Sequence, residues 1–120
     1  MKLTIEHVLK LTGDELDEAV ALGHGWVKES RHTPNDSWVL RDEGGAILEL
    51  WGDYHPSTNG AQCMEIMERE KIDCTIIFCN EGKKWKAKNR LCEATGETAM
   101  IAICRCFVIS KLEVINETNL

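Results

Sequence analysis

Apolar residues crowd most densely between Glu97 and Lys111, a stretch in which Arg105 is the only internal charge. At about 100° per residue, Ala99, Ala102, Ile103, Cys106, Phe107 and Ile109 fall on one helical face. Small residues alternate there with large ones, as close packing against a sheet requires. The reverse face holds Ile101, Cys104, Arg105, Val108 and Leu112. That is too apolar for a solvated surface. The pattern therefore predicts a helix covered on two sides, by another helix or by a second copy of the protein.

The other elements are arranged around it. Leu11, Leu16, Ala19, Val20 and Leu22 form an apolar stripe that predicts a helix over 14–22, started by Thr12 or Asp14 and ended at Gly23-His24-Gly25. The spacing of Leu3, Val8, Leu9 and Leu11 suggests a turn or helix leading in. Trp26–Glu29, Trp38–Leu40 and Ala46–Trp51 read as short extended segments, separated by a loop around Pro34 and a turn at Gly44-Gly45. A second helix is predicted over 59–70, with Ala61, Met64, Ile66 and Met67 inward. Asp73–Cys79 is apolar on both faces and reads as a strand covered on both sides. Asn80-Glu81-Gly82 turns the chain, and Lys84–Leu91 returns with Trp85 and Ala87 on one face and lysines on the other. Cys92–Gly96 reads as a lead into the last helix.

These elements predict an α+β fold, a helix–sheet–helix sandwich with a small, mainly antiparallel sheet and about three helices. A chain of 120 residues forms a single domain, expected over 1–112, with 113–120 a frayed polar tail. Hydrophobic content of 43% and charged content of 28% place it among globular proteins. The apolar run is shorter than the roughly 20 residues that span a bilayer, and the first residues lack a signal-peptide core. A cytoplasmic protein is expected, without membrane association.

The net charge of −6 lies wholly in residues 1–60, which carry 5 basic and 11 acidic side chains against 9 of each in 61–120. Acidity argues against nucleic acid as the default partner, although it leaves mimicry of nucleic acid open. The six cysteines contain no Cys-x-x-Cys, so neither a zinc knuckle nor a disulfide framework is indicated. Reduced thiols acting as small hydrophobes are expected.

Two clusters could carry chemistry. Lys83, Lys84, Lys86, Lys88 and Arg90 gather positive charge around Trp85, as single-strand binders do. Strand alternation, however, sends Trp85 to the face opposite the lysines, and lysines on an outer strand also deter edge-to-edge pairing. Asp53, Tyr54, His55 and Ser57 group titratable side chains before a helix N-terminus, where capping also explains them. The four histidines have no ligand spacing, and a phosphate loop and a nucleophile elbow are missing. No catalytic residue, metal or cofactor is therefore assigned.

Thr98-Ala99-Met100-Ile101-Ala102-Ile103-Cys104-Arg105-Cys106, preceded by Ala94-Thr95-Gly96-Glu97, resembles the closing segment of the phage ABA sandwich domain family. Tyr54-His55-Pro56-Ser57-Thr58 and Thr12-Gly13-Asp14-Glu15-Leu16-Asp17, followed by Ala21-Leu22-Gly23 and Trp26, resemble it in the same order. Cys106-Phe107 departs from the small residues expected there. The resemblance implies a helix–sheet–helix sandwich of phage or prophage origin in the host cytoplasm, and no activity.

The expectation is a non-enzymatic accessory protein that binds a host or phage protein or its own copy, with Ile101, Val108 and Leu112 as the interface. The alternative is nucleic-acid-linked: strand binding by Lys84, Lys86, Lys88 and Arg90, or acidic DNA mimicry.

Overall fold

A computed structural model describes residues 2–29, 37–41, 43–51, 54–80 and 82–118. In chain order the elements are α1 (Ile5–Val8), α2 (Gly13–Gly23), β1 (Val27–Glu29), β2 (Ser37–Arg41), β3 (Ile47–Trp51) and α3 (Gly60–Glu70). There follow β4 (Asp73–Cys79), β5 (Gly82–Lys88), β6 (Glu93–Gly96), α4 (Ala99–Ser110) and α5 (Leu112–Thr118). The α+β class is as expected. The strands, however, form two antiparallel sheets of three, β1-β2-β3 and β4-β5-β6, instead of one.

Helix α4 is the hub. Thr98 caps it by accepting the Ile101 amide at 3.1 Å, and every residue from Ala102 to Val108 is buried. One side lies on β5 and β6, while α2, α3 and α5 pack around the others. The second cover foreseen for this helix thus comes from within the chain.

Small residues set how closely the helix approaches the sheet. Ala87 and Ala94 face each other across β5 and β6, both buried, and Gly96 closes the sheet edge. A Cβ on Gly96 would stand 2.7 Å from the Ala102 backbone nitrogen, so only glycine admits this contact.

The end of α2 is set by chemistry visible in the sequence. The Trp26 amide bonds to Ala21 O at 3.2 Å and the Gly25 amide to Leu22 O at 3.0 Å, with Gly25 at φ +86. This is a Schellman closure, and it aims His24 and Trp26 back at the core.

Four expectations are corrected. Strand β4 is not covered on both faces: Cys74, Ile76 and Phe78 share the inner face with Trp85 and Ala87, while Thr75 and Ile77 lie outside with Lys84 and Lys86. A face shared with lysines stays wet, and Thr75 is accordingly exposed. Residues 93–96 are a strand, which no alternation in Glu-Ala-Thr-Gly announced. Residues 113–118 belong to helix α5 instead of a frayed tail: Ile115 is fully buried, and the Asn116 side chain brackets Leu3 with bonds of 2.8 and 3.0 Å. On α3 the inward residues are Cys63 and Ile66, whereas Ala61 and Met64 face solvent.

Candidate functional site

The lysine row lies where alternation put it. Lys84, Lys86 and Lys88 occupy the outer face of the second sheet, and Trp85 turns inward to half-burial. Lys86 Nζ reaches Glu93 at 3.0 Å across to β6. Arg90 sits in the exposed turn beyond β5. Beside this row is a recess of about 490 Å³ lined by Met67, Asp73, Cys74, Thr75, Ile77, Lys86 and Lys88. Among the described residues of β4 and β5, this outer face therefore offers charge with no aromatic ring for base stacking.

The ribbon ends differently. The last β6 pair is Gly96 with Trp85, so β4 and β5 run on as a two-stranded hairpin past the edge of their sheet. At its tip Phe78, paired with Lys83, is 81% exposed, and Ile76 behind it is 38% exposed. Strand β4 is also an edge strand. Sequence reading placed Phe78 in the core because it counted faces and had no helix length against which to measure the strand.

The expected interface on α4 is altered. Val108 is fully buried under the neighbouring helices and is withdrawn as a surface residue. Ile101 and Leu112 are half-buried at the rim.

A polar seam joins α2, the loop before α3, and α3. Asp53 lies outside the described residues; the other loop residues resolve into two groups. In the first, Tyr54 is buried with its hydroxyl 2.8 Å from His24 Nε2, and Arg69 Nη2 stands 2.7 Å from His24 Nδ1. His24 stacks on Trp26 at 4.5 Å and lies 4.7 Å from the Phe107 ring. Burial, then the cations Arg69 and Lys111, lower the His24 pKa to about 3. Burial, followed by the nearby Cys104 thiol, raises that of Tyr54. A neutral imidazole facing an un-ionised phenol makes a rigid hydrogen-bonded pair, poorly suited to proton transfer at neutral pH.

In the second group, Asp14 and Asp17 lie one turn apart on α2, and His55 Nδ1 stands 4.0 Å from Asp14 Oδ1 and 3.5 Å from Asp17 Oδ2. One ligand atom from each of the three falls within 4.8 Å of the others. Asp17 is buried and accepts the Ser57 amide at Oδ1, 2.8 Å away. The loop is held on its other side by the His55 amide donating to Gln62 Oε1 at 2.7 Å, with Asn59 capping α3. Sequence reading named His55 and Ser57 but missed their carboxylate partners, which lie about forty residues away.

The six cysteines are free thiols. Cys63, Cys104 and Cys106 are buried, Cys74 and Cys92 half-buried, and Cys79 is exposed. Cys104 is raised by its hydrogen bond with Cys63 and by burial, and burial pushes Cys106 up to about 11. Cys104 and Cys106 are thus core thiols held in the protonated form.

Among the described residues no helix is long and apolar enough to cross a membrane. No curated protein matches the chain. A family model described as Bacteriophage P22, NinX matches residues 7–111. The likeness to small bacteriophage proteins therefore holds, and the match does not confirm the phage ABA sandwich as the family. The chain belongs to the P22 NinX family.

Proposed function

We propose that this member of the P22 NinX family is an accessory protein of a phage or prophage that acts in the host cytoplasm by binding a protein, without catalysis. The observation that carries the reading is Phe78, 81% exposed at the tip of the β4–β5 hairpin, with Ile76 beside it on an edge strand. A large ring presented on a projecting ribbon is costly for solubility and is what a protein interface uses as an anchor. The unpaired edge of β4 adds main-chain donors and acceptors for a partner strand. The interface thus moves from the rear of α4, where Val108 is covered, to the hairpin. Partner identity, a host or phage protein or a second copy, belongs to the same proposal.

The test compares pull-downs of the tagged chain and its Phe78→Ser variant from host lysate, with and without nuclease. A partner that survives nuclease and is lost with Phe78→Ser supports the reading. Partners unaffected by Phe78→Ser overturn it.

The nucleic-acid reading has one observation in its favour, the Lys84, Lys86 and Lys88 face. Its signature is partners lost on nuclease and binding that falls steeply with salt and on exchange of these lysines for glutamate. Trp85, turned inward, weakens it.

A further inference from the structure

We infer that the free edge of β4 is a self-association surface, on which β4 of a second copy pairs antiparallel with Ile76 opposite its own counterpart. The inference rests on the reading of the hairpin as an interface and names its occupant.

The ladder shows which main-chain groups the edge leaves unused. The Asn89 amide bonds to Cys92 O at 2.9 Å, on the β6 side of β5. Alternation along β5 then gives Trp85 and Ala87 to β6, and Lys84, Lys86 and Lys88 to β4. The β4 partners of those lysines are Ile77, Thr75 and Asp73, so the main-chain groups of Cys74, Ile76 and Phe78 turn to the free edge. Among the described residues nothing outside the strand ladder bonds to them. Natural edges are blunted by lysine, proline or a bulge. From Cys74 to Cys79 there is neither a charge nor a proline, and the register with β5 is unbroken. The edge is open to pairing along its whole length.

The pattern about Ile76 is self-complementary. With Ile76 on a twofold axis, Cys74 of each copy faces Phe78 of the other, and the unused groups form three hydrogen-bonded pairs. Thr75 and Ile77 match in the same way on the outer face, and no charge meets a charge. The exposed ring of Phe78 would lie against the small side chain of Cys74, where Met67 and Cys74 line one wall of the recess of about 490 Å³. A protruding ring on one copy thus meets a hollow on the other, twice. The second sheets of the two copies, of three strands each, become one of six. Their lysine rows, three strand spacings apart, stand roughly 14 Å from each other, beyond the Debye length of about 8 Å at physiological salt. Nor do the lysines select an acidic strand instead, since Lys86 is already held by Glu93 at 3.0 Å.

Sedimentation equilibrium of the full chain across the micromolar range is expected to show a monomer–dimer equilibrium. Ile76→Lys and Ile76→Glu should each raise the dissociation constant by roughly tenfold or more, because like charges then face each other across the axis. Mixed in equal amounts, the two variants should form a heterodimer, which misfolded chains would not. A wild-type chain that stays monomeric, a dimer unaffected by Ile76→Lys, or variants that do not pair on mixing overturns the proposal. If the chain is monomeric yet captures a lysate protein through Phe78, the second copy alone is lost as occupant. With no Phe78-dependent capture either, the hairpin reading falls with it.

Discussion

The guanidinium of Arg69 stands 2.7 Å from Nδ1 of His24, and an arginine can only donate a hydrogen bond. Nδ1 must therefore carry the lone pair. The imidazole proton is left on Nε2, which donates to the Tyr54 oxygen at 2.8 Å. One contact thus sets the charge, the tautomer and the direction of a hydrogen-bonded chain joining α2, the loop before α3, and α3.

Stability should depend on pH through that contact. The His24 pKa is lowered from its ordinary 6.5 to about 3 in the folded chain. Between those values the unfolded chain binds a proton that the folded one does not, so protonation favours unfolding. The contribution is fully present above pH 6.5 and is lost as pH falls toward 3. The thermal midpoint is expected to drop between pH 7 and pH 5, and less so in His24→Gln. A His24 ring resonance that titrates near pH 6.5 would contradict this.

Gly96 and Gly60 should respond oppositely to alanine. At Gly96 the new methyl would meet Ala102 backbone at 2.7 Å and Ile101 Cγ2 at 2.9 Å, and helix α4 cannot yield locally. Gly96→Ala is expected to cost about 1–3 kcal/mol by overpacking. Gly60, the first residue of α3, has nothing within 4 Å, so Gly60→Ala should be neutral or stabilising by up to about 1 kcal/mol. Urea denaturation of both variants measures the difference.

Arg105, only 8% exposed, ties the segment before α2 and strand β6 to the hub helix. Its Nε donates to Leu11 O at 3.0 Å and its Nη1 to Thr95 O at 2.8 Å. A lysine cannot span both carbonyls with one ammonium. Arg105→Lys should lose about 1.5–3 kcal/mol, the worth of one charge-assisted bond. Hydrogen exchange should show the loss first in the amides around Leu11 and β6.

Thiol labelling should follow burial. Under native conditions Cys79, exposed near the hairpin turn, is expected to react first with a maleimide. Cys104 and Cys106 should stay protected until global unfolding, because both are buried and their thiols are held in the protonated form. Mass spectrometry of partly labelled protein reads the order directly. Early labelling of Cys104 would mean that α4 is not the closed hub described above.

The sequence by itself determined what depends on neighbours along the chain. Helix α4, helix α3, strand β4, and the glycine-ended α2 all follow from periodicity and short-range hydrogen bonding. The opposite facing of Trp85 and the lysines followed from strand alternation alone. Tertiary structure decided which apolar surface would be covered, since that depends on where other elements stop. Val108 vanished beneath its neighbours, whereas Phe78, equally apolar in the sequence, was left beyond the last pair of β6. It also decided the polar seam. His24 meets Arg69 forty-five residues on, and Asp17 meets Ser57 forty residues on. No local pattern encodes such contacts, because they arise only when α2 and α3 pack against α4 and bring separate elements to one place.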